Sequence, residues 1–135
     1  MWLDDVATYL DAQSSAFVVG TNLTKGFMPE TSGDVVTIYA QAGYPPEYVL
    51  STGGVSRVWD VHGLQVLSRS TSLSSAMTNA ETVYELLADV VDTRLPTSTG
   101  SRYVKFDAQQ YPFQAGRDSN DRYLVSHNYL VWREA

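Results

Sequence analysis

The side chains best suited to chemistry in this sequence are two histidines, His62 and His127, together with Asp60, two positions before the first of them. Alternation along an extended strand puts residues i and i+2 on one face, so Asp60 and His62 form the minimum for an oriented general base. Any half-exposed strand produces such a pair by chance, and no third group accompanies this one, so the pair reads as structural. The histidines lie far apart, neither at a ligand spacing such as His-x-x-x-His. Cysteine is absent, which removes disulfides and thiolate metal sites. Gly53-Gly54 lacks the Lys-Ser/Thr that completes a phosphate-binding loop, and no helical pattern opens after it. The sequence therefore offers no catalytic, metal-binding or cofactor-binding set.

What remains is chemistry of association. Nine tyrosines and three tryptophans are many for this length, and each combines a large apolar face with a polar tip, which suits subunit contacts as well as a core. Tyr44, Tyr48 and Trp59 bracket a segment rich in proline and glycine and are candidate anchors for a partner; folding back on their own domain is an equal reading. Residues 126–132 carry few charges and can leave an unpaired strand edge, to be covered by a neighbouring subunit or by the domain's own first strand. Glu81, Glu85, Asp89 and Asp92 recur in steps of four, four and three residues, so one helix would hold them on one narrow face. Such a face is ordinarily solvated. It can also line a channel or meet arginines such as Arg117 and Arg122 of a neighbouring subunit.

The elements that must position these groups belong to a chain of 135 residues, the size of one domain. Apolar residues make up 44% and charged residues 18%, a globular composition. A net charge of −6 argues against tight binding to nucleic acid phosphates. Acids stand at positions 4 and 5, where a signal peptide would carry positive charge, and no apolar run reaches membrane-spanning length. A soluble product of the cytosol is expected.

Trp2, Leu3, Val6, Ala7 and Leu10 predict a short amphipathic helix, with Asp4, Asp5 and Asp11 outward. Residues 23–28 suggest a strand closed by Pro29, and the β-branched run at 35–41 is the clearest strand. Paired prolines and glycines at 43–54 deny helix and central strand and predict a long exposed loop. The β pattern resumes at 58–69. From about 74 to 95 the period becomes helical: Ala76, Ala80, Val83, Tyr84, Leu87, Val91 and Leu95 share one side, with Thr78 and Glu81 as a capping box or Ser74 as an earlier cap, and Pro96 as the stop. Strands are expected at 102–107 and 122–133, joined by a polar turn at 114–121. The whole is an α+β domain spanning 1–135: a mixed, mainly antiparallel sheet with one long helix packed across it and a short N-terminal helix.

Phe27-Met28-Pro29-Glu30, Val35-Val36-Thr37-Ile38-Tyr39, Gly43-Tyr44-Pro45-Pro46 and Leu64-Gln65-Val66-Leu67-Ser68-Arg69 precede a long helix. The chain then closes on Asp121-Arg122-Tyr123-Leu124-Val125-Ser126-His127-Asn128-Tyr129. In this order the segments resemble the tail terminator or minor capsid proteins of long-tailed bacteriophages, over most of the chain. Ala42 stands where the resemblance leads one to expect another glycine, and residues 49–58 run longer than expected. The resemblance implies a structural virion protein at the junction of tail and head. Such a protein forms a homo-hexameric ring that caps the tail tube, stops its polymerisation and meets a head connector or neck protein. DNA passes through the channel without specific binding, and no membrane is involved. Three other readings remain: a head-completion or neck protein of the same particle, a small α+β enzyme using Asp60 and His62 beneath the long helix, and a peptide-binding module using the last strand.

Overall fold

In the computed structural model, residues 1–31, 33–51 and 54–134 are described, with backbone alone at 46–51 and 54–57. Helix α1 (Trp2–Gln13) is followed by strands β1 (Leu23–Lys25), β2 (Val35–Ser51) and β3 (Gly54–Ser70). Helix α2 (Leu73–Ala88) then leads to β4 (Val91–Leu95), β5 (Ser101–Ala108), β6 (Phe113–Arg117) and β7 (Tyr123–Glu134). The seven strands form one sheet in the order β1-β2-β3-β7-β5-β4, and β6 pairs with the first half of β7. All pairings are antiparallel except that of β1 with β2. The expected fold class is the one observed.

Both helices pack on one face of the sheet. Trp2, Leu3, Val6, Ala7 and Leu10, the predicted stripe, are all buried, and with Val83 and Leu87 of α2 they meet Val36, Ile38, Leu64, Val66, Tyr129 and Val131 of the strands. Each fully buried Val or Leu of this kind contributes about 1.5–3 kcal/mol. Two tyrosines fasten the layers: Tyr9 donates to Leu86 O at 3.2 Å, joining α1 to α2, and Tyr103 donates to an Asp5 carboxylate oxygen at 2.7 Å, joining β5 to α1.

Five local expectations are corrected. Residues 43–54 do not form a long loop. β2 continues to Ser51 and pairs with β3 from Gly54 onward, making a long hairpin. The prolines are tolerated because β1 covers β2 only at Val36–Ile38, so Pro45 and Pro46 lie on an open edge that needs no ladder N–H, and register shifts between Gln41 and Tyr48 skip them. Gly43 and Gly63 permit the close approach of the two strands here: a Cβ at Gly43 would meet Val61 O at 2.0 Å, and one at Gly63 would meet Ala42 O at 2.4 Å.

The long helix stops at Ala88, well before Pro96. Asp89 caps it, Asp92 turns the chain at φ 48°, and Val91–Leu95 becomes strand β4. Its N-cap is Ser72, whose side chain accepts from Ser75 N at 3.3 Å, in place of Ser74 or Thr78. Part of the expected turn at 114–121 is strand β6. The last strand is not an edge: β7 lies between β3 on one side and β5 and β6 on the other, so neither a neighbour nor the first strand is needed to cover it.

Candidate functional site

Asp60 and His62 do fall on the same face of β3, opposite Arg133 and Val131 of β7. The His62 ring stacks on Trp2 with centroids 4.8 Å apart and planes 14° from parallel, so it packs α1 onto the sheet. Burial and then nearby Arg133 lower its pKa, against an opposing pull from Asp60. His127 is buried at the centre of β7 beneath α2, between the rings of Tyr84 and Tyr129. Burial lowers its pKa to about 4, so at neutral pH it is an uncharged core side chain. Among the described residues no three His, Asp or Glu side chains gather where a metal ion would be held.

The acidic face loses a member. Glu81, Glu85 and Asp89 follow α2 on the side away from the core, but Asp92 sits in β4, where it pairs with Arg102. Glu81 accepts a hydrogen bond from the Tyr111 hydroxyl at 2.6 Å, and α2 carries no Lys or Arg to offset the acids.

The two arginines also part company. Arg117 is exposed, ion-paired to Asp121 at 2.8 Å, hydrogen-bonded to the Tyr123 hydroxyl and lying 4.2 Å over the Tyr123 ring. Arg122 is only 7% exposed and is bonded to Asp118 at 2.8 Å, Glu30 at 3.1 Å and the Thr31 carbonyl at 2.7 Å. The Arg122 guanidinium thus braces its own domain. Buried Arg69 of β3 joins it, donating to Pro29 O and Thr31 O at 2.8 Å each. Together they clamp the turn between β1 and β2, a role that a lone basic residue in the apolar run before α2 does not announce.

Of the aromatic candidates, Tyr44 is 63% exposed on the open edge of β2. Trp59 is half-buried, with the Arg102 guanidinium 5.3 Å over its ring. The side chain of Tyr48 lies outside the described residues. These residues belong to the far half of the hairpin, Arg117 to β6 and the acids to α2, so they do not converge on one pocket.

Sequence reasoning missed a second set of exposed apolar side chains. Val18, Val19 and Phe27 flank β1, while Tyr111 and Phe113 stand at the start of β6. Hydrophobic periodicity cannot find them, because they lie in turns or in a strand exposed along nearly its whole length.

The helix-backed sheet thus displays exposed aromatic side chains and an acidic helix side on its surface, features suited to contacts with other proteins. The family model for the bacteriophage tail terminator protein matches residues 9–132, and the chain belongs to that family. It is a structural protein of the phage tail and virion, not an enzyme. Seven chains of solved structures match it. One of them belongs to the virion of a native gene transfer agent (GTA) particle and is similar over 96% of this chain and 94% of its own length. Its TM-score is 0.58 at 16% identity, a likeness of fold. No curated protein sequence matches the chain.

Proposed function

We propose that this chain acts as one domain to terminate the phage tail. It is made in the bacterial cytoplasm and assembles into a homo-hexameric ring on the last ring of the tail tube. There it stops polymerisation and presents its other surface to the head connector or neck protein. The carrying observation is the family match, which covers nearly the whole chain. The surface supports it: exposed aromatics on two sides of the sheet suit a repeated contact, and one modest patch used by every subunit closes a ring. DNA traverses the channel without specific binding, in keeping with the net charge of −6.

Within this reading Tyr44, Tyr48, Trp59 and Arg117 are contact residues toward subunits or tail partners. The acids Glu81, Glu85 and Asp89 either line the channel or face a neighbouring subunit. Light scattering over a concentration series, combined with purified tail tubes, tests the proposal. A species of six times the 14.9 kDa chain mass, in solution or on the tube end, is expected. A protein that stays monomeric at high concentration and does not add to tubes would refute it.

A further inference from the structure

At one end of the sheet the strands run β1-β2-β3-β7-β6, so β1 and β6 are its opposite margins, four strand spacings apart. Both margins display large apolar side chains. Beside β1, Phe27 is 67% exposed next to Val18 and Val19; beside β6, Tyr111 is 56% and Phe113 44% exposed. The β1 margin is concave. A groove of about 320 Å³ is lined by apolar Val19, Leu23, Phe27 and Pro29, and Lys25 is the one charged residue among its lining residues. The β6 margin is flanked by Glu81, held to Tyr111, and by Glu85.

Each margin is also held in shape. The groove wall at 29–31 is fixed by the buried guanidinium groups of Arg69 and Arg122. Tyr111 is fixed by its bond to Glu81 and by an edge-on contact with Tyr84 at 5.1 Å. Side chains already ordered in the free subunit lose little entropy on contact.

Resting on the ring proposed above, we infer that the groove beside β1 of one copy seats Tyr111 and Phe113 of a second copy, with Lys25 facing Glu81 and Glu85 across the joint. Two observations select a second copy as the occupant, and a third fixes the kind of contact. The two apolar patches are different and lie on opposite margins, which is what a head-to-tail contact requires and a two-fold contact does not. The charges are complementary: the groove's single cation, now paired with exposed Asp4, meets an acidic helix that has no base of its own. The backbone of β1 is not available to an added strand at Leu23, whose N–H and C=O are already bonded to Val18 O and Gly20 N, so the contact is made by side chains.

The absence of native cysteine makes the test clean. Thr21→Cys at the groove and Gln114→Cys on β6 are exposed positions. Under mild oxidation, the inference predicts no cross-link in either single variant, dimers only in their equimolar mixture, and a ladder up to the full ring in the double variant. Rings that assemble normally yet give no cross-link in the double variant, or single variants that cross-link to themselves, would overturn it while leaving the ring itself standing. A wild-type chain that never forms a ring would instead remove the reading beneath it. As a second readout, Lys25→Glu should weaken assembly at least tenfold and Glu85→Lys should restore it in the same chain. Full assembly with both margins altered (Phe27→Ser, Phe113→Ser) but loss of tube binding would assign the groove to a tube subunit and reject a second copy.

Discussion

His127 has neither ring nitrogen hydrogen-bonded within the described structure, and the rings of Tyr84 and Tyr129 face it in place of any carboxylate. Such a histidine stays in the core only while neutral. Its folded pKa of about 4 lies below the ordinary value near 6.5, so the unfolded chain takes up the proton first. The resulting stabilisation, up to about 3 kcal/mol, is complete above pH ~6.5 and declines as pH falls toward about 4. Below that it loses no more. Urea unfolding from pH 7 to 4 should show this decline in the native chain and a shallower one in His127→Leu, which cannot charge, the remainder including the smaller share of His62. Equal pH slopes in the two proteins would show that His127 is not the cause. The two histidines, the first candidates for chemistry in the sequence, are placed by packing: His62 is a half-buried stacking partner for Trp2 and His127 a core side chain.

At the scale of elements, the Ser72 cap is the most direct check on where α2 begins. Ser72→Ala should cost about 0.5–2 kcal/mol by denaturant unfolding, whereas Thr78→Ala, inside the helix, should stay within about 0.5 kcal/mol. The reverse order would restore the later start. The comparison also shows what was legible. The stripe from Ala76 to Leu87 and the stripe of α1 follow from spacing alone, because one-sided burial imposes the helical period. The end of α2 was not legible, since Val91 and Leu95 continue that period by coincidence while their backbone joins a strand. The 43–54 hairpin was hidden for a related reason. Pro45, Pro46 and Gly43 look like strand breakers until one knows that β2 has an open edge there and that its backbone crosses that of β3 closely at Gly43 and Gly63. Strand β6, held only by β7 and largely exposed, has almost no pattern to read.

For the whole molecule, the acidic side of α2 and the aromatic margins belong to one question: what the sheet meets outside itself. Glu85→Gln combined with Asp89→Asn should weaken the ring and flatten its salt dependence, as expected for charges that face a cation of the neighbouring subunit. Intact assembly with slower DNA ejection would place these acids in the channel instead, and no change in either would leave them as a solvated face. The candidate contact residues were legible only as residue types. Tyr44 and Arg117 lie on the surface, but the groove at β1 and its counterpart at β6 require strands distant in sequence to lie on opposite margins of one sheet.

Termination is read out by the length of tail tubes. Tubes polymerised from purified tube protein with and without this chain should differ. With it present, growth should stop at a narrow length distribution and the ends should carry the chain; without it, tubes should run on. Identical length distributions in the two reactions, with the chain folded and in excess, would show that it does not terminate tails.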